Sequence, residues 1–128
     1  MSKLDGLFQF NQDALKLHTY RQQLIASNIA NADTPGYKAR DIDFASALKN
    51  AQAAQSSPQN TATRTSDPDA PPLGAELLYR STVQRSIDNN TVDLDVERAQ
   101  FAENTVRYEA QLMFLNSQIR SMLAAIQG

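Results

Sequence analysis

The chain has 128 residues, with 12 basic and 14 acidic side chains, a formal charge of -2 and no cysteine. That length suits one ordinary domain, and the mixed order of charges forms no basic face for nucleic acid. The lack of cysteine excludes disulfides and thiolate metal sites. The longest strongly apolar run covers residues 112–115, which is far shorter than a membrane span. We therefore expect no nucleic-acid partner and no direct membrane insertion.

The first predicted element is a long amphipathic helix over residues 4–32. Its apolar residues recur at steps of three and four, which is the helical repeat. The main positions are Leu7, Phe10, Ala14, Leu17 and Leu24. After the helix, Pro35 and Gly36 predict a type II turn, because proline fixes one φ and glycine supplies a positive one.

Residues 1–10 lack a continuous apolar region and a small-residue cleavage site, so we expect no cleaved secretory signal.

Two asparagines, Asn28 and Asn31, stand three residues apart at the end of this helix. An ordinary helix end followed by a turn is one interpretation. Asparagine is a poor residue inside a helix, however, and its amide can bond the last free carbonyls or a neighbouring chain. The residue types therefore favour a packed, hydrogen-bonded helix end that meets a partner.

The middle of the chain changes composition abruptly. Asp41 or Asp43 can cap a short helix that ends near Leu48. Residues 49–72 contain four of the five prolines and no Leu, Ile, Val, Met, Phe or Tyr, which predicts a flexible linker. Residues 77–83 are the best strand candidate, and Asp88–Asn90 predicts a turn, so a short hairpin element should precede the last helix.

The last predicted element is a second long helix, which Asp93 can cap. Six of its apolar residues follow one another at steps of 4, 3, 4, 3 and 4, the a/d spacing of a heptad repeat. This heptad stripe consists of Tyr108, Leu112, Leu115, Ile119, Met122 and Ile126. A second apolar stripe runs beside it through Val106 and Met113. A helix pair within one chain would bury the first stripe, and neighbouring subunits would bury the second.

These elements predict a mainly α fold. Its long N- and C-terminal helices should pack as an axial, coiled-coil-like pair or bundle. Four segments follow: 1–48 for the N-terminal helix, turn and short helix; 49–72 for the flexible linker; 73–91 for the extended element; and 92–128 for the C-terminal helix.

Nothing in the sequence predicts an enzyme. His18 is the only histidine, and no serine lies in a G-x-S-x-G context that would activate it. Glycine-rich phosphate loops and pocket-forming pairs of carboxylates are not evident, and Asp93–Glu97 does not fit an EF-hand loop. We expect no catalytic residue, no cofactor and no metal.

Three segments resemble a known family. Leu24–Lys38 resembles the signature shared by axial rod, hook and related proteins of the bacterial flagellum. Ala39–Phe44 and Asn90–Glu97, together with residues of the C-terminal helix from Asn104 to Asn116, resemble the flagellar basal-body rod proteins more narrowly.

The resemblance implies a structural subunit of the basal-body rod, the periplasmic shaft that passes motor torque to the hook and filament. It also implies type III export without a cleaved signal. The implied partners are copies of the chain itself, other rod proteins and the export-gate adaptor at the rod base, in a homo- and hetero-oligomeric assembly.

The residue patterns and the resemblance together predict an assembly interface. Its residues are Leu17, Leu24, Asn28, Asn31, Pro35, Gly36, Tyr37, Tyr108, Leu112, Leu115, Ile119, Met122 and Ile126. A second hypothesis stays open: a cytoplasmic helical adaptor or export chaperone that binds partners through the heptad stripe.

Overall fold

A computed structural model describes residues 2–55, 71–80 and 92–127. The elements in chain order are α1 (Ser2–Ala30), β1 (Arg40–Ile42), α2 (Phe44–Gln55), a short 3-10 turn (Pro72–Gly74), β2 (Leu77–Tyr79) and α3 (Leu94–Gln127). The mainly helical fold with two long terminal helices is confirmed. Helix α1 begins and ends two residues earlier than predicted, within the usual fraying of helix ends.

The two long helices run antiparallel and pack against each other along α1. The end of α1 lies beside the start of α3, where Asn28 bonds Glu97, and Asn11 bonds Gln118 much further along α3. The predicted packing of the terminal helices as a pair is thus confirmed.

The apolar core lies on a different side of α1, under α2 and the two strands. Its buried members are Leu17, Leu24, Ile42, Ala47 and Ala75. Half-buried Tyr20, Phe44, Leu48, Leu73 and Leu77 pack around them. A layer formed by α2 and the strand pair therefore covers one face of α1, and α3 covers another.

Helix α2 is longer than the sequence predicted. We predicted that the linker starts at residue 49, but the helix continues to Gln55. Alanine is the strongest helix former, and Ala51 is also buried at 2% exposure, so this stretch needs no large apolar residue. Asp43 caps α2 by accepting a hydrogen bond from the Ser46 N–H at 3.3 Å, as predicted. Residues 56–70 of the predicted linker lie outside the described residues.

The short β element forms from segments that are distant in the sequence. Leu77–Tyr79 is extended as predicted, and it pairs antiparallel with β1, whose strand conformation we did not predict. The register places Arg40 opposite Tyr79 and Ile42 opposite Leu77. The predicted turn at Asp88–Asn90 lies outside the described residues.

Helix α3 begins at the predicted place. Asp93 accepts hydrogen bonds from the N–H groups of Asp95 and Val96, at 3.1 and 3.3 Å, so it acts as the N-cap. Within the described ranges, no helix is both long and apolar enough to cross a membrane.

Candidate assembly site

The end of α1 forms the turn that the sequence predicts. The Tyr37 N–H donates to the Thr34 carbonyl at 3.2 Å, and Gly36 has a φ of +74°, as the third position of a type II turn requires. Asn31 donates from Nδ2 to the Ser27 carbonyl at 2.8 Å, and this carbonyl also accepts the Asn31 backbone N–H at 3.0 Å. The amide of Asn31 thus bonds a carbonyl of its own helix end, and its role at an assembly interface stays a prediction. Pro35 and Gly36 lie exposed at the tip.

Asn28 has a different partner from the one we predicted. It is fully buried, and its amide pairs with both backbone groups of Arg40 in β1. Nδ2 donates to the Arg40 carbonyl at 2.8 Å, and Oδ1 accepts from the Arg40 N–H at 3.0 Å. The same amide bonds the Tyr37 hydroxyl at 3.2 Å and the Glu97 carboxylate at 3.1 Å. Asn28 thus acts like the backbone of a neighbouring strand, inside its own chain.

A network of charged side chains joins α1 to both strands and to α3. Arg80, directly after β2, forms ion pairs with Asp41 in β1 and with Glu97 in α3. Arg21 in α1 holds Asp41 with two hydrogen bonds, at 2.9 and 3.2 Å, and also donates to Gln100 in α3 at 2.8 Å. Four separate elements are therefore fixed to one another through two arginines.

The pKa values of the two carboxyl groups in this network are shifted in opposite directions. Burial raises the pKa of Glu97 above its ordinary value, and the Asn28 hydrogen bond and the Arg80 charge only partly oppose this. Burial acts the same way on Asp41, but the hydrogen bonds from Arg21 and the Ile42 N–H and the charges of Arg21 and Arg80 outweigh it, so the pKa of Asp41 is lowered. Of the two carboxyl groups, Asp41 thus has the lower pKa.

Polar side chains form the contact between α1 and α3, which the sequence analysis missed. Four residues of α3, spaced seven apart, face α1 and form what we call the polar seam: Glu97, Asn104, Gln111 and Gln118. Asn104 is fully buried, and its Nδ2 donates to the His18 carbonyl at 2.9 Å and to Gln22 Oε1 at 2.7 Å. At the far end of α1, Asn11 bonds both Gln111 and Gln118, each at 2.7 Å.

His18 is a packing residue at the centre of this contact. Its ring stacks on Phe44 with centroids 4.1 Å apart, and its Nδ1 lies 3.1 Å from Asn104 Oδ1. That oxygen can only accept, so Nδ1 carries the proton. Burial lowers the pKa of His18, and the positive charges of Arg107 and Arg21 lower it further. The hydrogen bond with Asn104 acts in the opposite direction and only partly offsets the burial.

The heptad stripe does not form the contact with α1 as a unit, so that expectation is wrong. Tyr108, Leu115 and Met122 are half-buried, whereas Leu112, Ile119 and Ile126 are exposed by 37%, 38% and 79%. The reason is that the polar seam has the same seven-residue spacing, and α1 offers matching polar groups at each level. The heptad pattern in the sequence could have pointed to these positions, but polar residues at that spacing usually mark a solvated face.

Two further predicted interface residues lie inside the chain. Leu17 and Leu24 are exposed by 0% and 4% and belong to the core that α2 and the strands cover. We therefore assign them to the fold of the chain rather than to its surface.

Much of the surface of α3 that faces away from α1 is apolar. At 100° per residue, Leu112, Ile119 and Ile126 line one flank of the helix, and Val106 and Met113 lie opposite α1. Val106 and Met113 are exposed by 66% and 72%. Phe114 and Leu123 are exposed as well. Large apolar patches on a protein surface usually mark a contact with another molecule.

Among the described residues, no three or more His, Cys, Asp or Glu side chains are grouped so that they could hold a metal ion.

The sequence is similar to known proteins over nearly its whole length. The family described as "Flagella basal body rod protein" matches residues 8–38, which cover most of α1 and the turn after it. The flagellar basal body rod protein FlgB of Proteus mirabilis (strain HI4320) is 48% identical over 134 residues, covering 99% of this chain and 98% of the relative. FlgB of Escherichia coli (strain K12) is 48% identical over 135 residues, covering 100% and 98%. FlgB of Cereibacter sphaeroides is 45% identical over 115 residues, covering 90% and 89%. Because this similarity includes both long helices and the segments between them, the chain belongs to the flagellar basal body rod protein family.

Proposed function

We propose that this chain is a structural subunit of the proximal part of the flagellar basal-body rod. The near-complete match to relatives named as basal body rod proteins is the observation that carries this proposal. The subunit assembles with copies of itself and with other rod proteins into the shaft that transmits motor torque to the hook and filament. Its contribution is mechanical, and we infer no enzymatic activity.

The exposed apolar residues of α3 support an assembly role. Polar contacts already occupy the side of α3 that faces α1, so the apolar residues Val106, Met113 and Ile119 are free to meet neighbouring subunits. Each square ångström of apolar surface buried in such contacts contributes about 25 cal/mol, so sliding of packed helices that re-exposes it is opposed. This resistance to sliding is the physical basis for a stiff shaft.

The remaining interface residues and partners belong to the same proposal. The exposed turn at Pro35 and Gly36 and the outer residues Leu112 and Ile126 contact neighbouring subunits. The export-gate adaptor at the rod base is a further partner of the assembled chain. These assignments rest on surface exposure and on the resemblance to rod proteins.

We also propose that the chain reaches the rod by type III export without cleavage of a signal. Asn11 bonds Gln111 and Gln118 of α3, so removal of an N-terminal leader of usual length would delete this part of the α1–α3 contact. The intact mass of the subunit taken from purified basal bodies tests this. A mass short by 15 or more residues, roughly the length of a signal, would contradict it.

Assembly is tested by an acidic substitution on the exposed flank of α3. In cells whose only copy of this subunit carries Ile119→Asp, we expect export of the subunit to continue. Rods and motility should be lost, because a carboxylate in an apolar contact is unfavourable. Ile119 suits this test better than Leu115, since Leu115 is half-buried beside α1. The matched control is Ser117→Asp, an exposed polar position on the same helix.

The two variants are purified and compared by circular dichroism, so that loss of assembly is separated from loss of folding. Motile cells with intact rods carrying Ile119→Asp would show that this flank meets no neighbour. The rival hypothesis, a cytoplasmic adaptor or export chaperone, is not favoured, since the relatives are named as rod proteins. It would require the chain to remain in the cytoplasmic fraction.

A further inference from the structure

The polar seam on α3 repeats at intervals of seven residues, yet its partners on α1 differ along the seam. The pairs are Glu97 with Asn28, Asn104 with His18 and Gln22, and Gln111 and Gln118 with Asn11. All of these bonds join side chains, so they depend on which levels of the two helices face each other.

The apolar residues beside the polar seam do not distinguish such levels. Tyr108, Leu115 and Met122 also repeat every seven residues and are all half-buried. If α3 moved by one repeat, about 10.5 Å along α1, two of these three residues would take the place of another apolar residue. Apolar burial by itself thus still permits alignments that are shifted by one repeat in either direction.

The polar seam makes these alignments unequal. A shift in one direction would place Asn104 at Asn28 and would separate Glu97 from both Asn28 and Arg80. Glu97 is only 1% exposed, and a buried carboxylate without its partners is strongly unfavourable. A shift in the other direction would bring Glu97 to His18, again without Arg80.

We propose that the polar seam selects the register of the α1–α3 pair, with Asn104 and His18 as its central positioning residues. Single polar residues at heptad positions act in this way in paired helices, where they exclude other alignments at some cost in stability. Register decides where the exposed apolar flank of α3 lies relative to the turn after α1. The proposal concerns one chain and holds whether or not the chain assembles.

Introduced cysteines can report the register, since the natural chain contains none. The reporter chain carries Gln22→Cys, Thr105→Cys and Leu112→Cys. Gln22→Cys removes the Gln22 bond to Asn104 in every reporter alike, and the bonds between Asn104 and His18 remain. Gln22 and Thr105 bond each other at 2.7 Å, and a shift of one repeat would bring Leu112 to the place that Thr105 occupies. The two disulfides close loops of about 83 and about 90 residues, so chain entropy alone would form them in nearly equal amounts.

The measurement is the ratio of the 22–105 to the 22–112 disulfide in monomeric protein, equilibrated in glutathione buffer and mapped by peptide mass spectrometry. In the parent reporter we expect an excess of about tenfold or more, because mismatched buried polar groups disfavour the shifted alignment. Adding His18→Leu and Asn104→Leu should lower that ratio at least about threefold, while helix content by circular dichroism stays the same or rises.

The control reporter instead adds Lys16→Leu and Asn116→Leu, so it also gains two leucines, but at exposed positions. Its ratio of the two disulfides should equal that of the parent reporter. An unchanged ratio in the His18→Leu/Asn104→Leu reporter overturns the proposal. A nearly equal ratio in the parent overturns it too, because the polar seam would then select nothing. A lowered ratio together with lost helix content also counts against it, since these residues would then act on stability rather than on register.

Discussion

Asn28→Ala is the sharpest test of how the turn after α1 is held. The substitution removes an amide that is fully buried and bonds both backbone groups of Arg40. Tyr37 keeps its contact with Ser27, and Glu97 keeps its ion pair with Arg80, so each of these side chains still has a polar partner. The N–H and carbonyl of Arg40 are left without this partner.

The expected loss follows from those two backbone groups. Each buried polar group left unsatisfied costs about 1–3 kcal/mol, so we expect the free energy of unfolding to fall by roughly 3 kcal/mol. That is a large share of the total stability of a small domain, about 5–15 kcal/mol. The matched control is Asn31→Ala, in which the Ser27 carbonyl keeps the backbone N–H of residue 31 at 3.0 Å. Its expected loss is about 0.5–1 kcal/mol.

Urea unfolding followed by circular dichroism measures both variants against the parent chain. The comparison requires an unchanged slope with urea concentration, so that a shifted midpoint reports stability. Equal losses for the two alanine variants would refute the reasoning, because Asn28 would then contribute no more than an ordinary helix-end asparagine.

Two further predictions concern charge. Arg80→Ala should lower the free energy of unfolding by about 3 kcal/mol, because it leaves buried Glu97 without its cation. The control Arg107→Ala breaks an exposed ion pair with Glu103 and should lower it by less than about 0.5 kcal/mol. Similar losses for the two variants in urea unfolding would contradict this prediction. The pKa of His18 lies below its ordinary value of 6.5, mainly through burial, with Asn104 and Phe44 in contact and the charges of Arg107 and Arg21 nearby. The unfolded chain therefore binds this proton more readily, so the free energy of unfolding should fall as the pH drops below about 6.5. His18→Gln should flatten that dependence in urea titrations at several pH values, and an unchanged slope would show that His18 is not its source.

The sequence by itself determined the helices, the caps and the turn. Apolar residues at helical spacing predict α1 and α3, Asp93 predicts the start of α3, and Pro35 with Gly36 predicts the type II turn. These are local properties, since a cap or a positive φ depends on residues within a few positions of each other. The family resemblance also came from contiguous segments, because the turn after α1 and the start of α3 carry it.

Only the tertiary structure decided which face of α3 meets α1. From the sequence, the heptad stripe was the better candidate, because burial of apolar area usually decides helix packing. In the structure, the polar seam faces α1 instead, because α1 presents an amide or imidazole opposite each of its members. That match involves residues about 70–110 positions apart, and local pattern cannot reveal it. The same holds for β1 and for Arg80, whose roles exist only once both strands and both helices are in place.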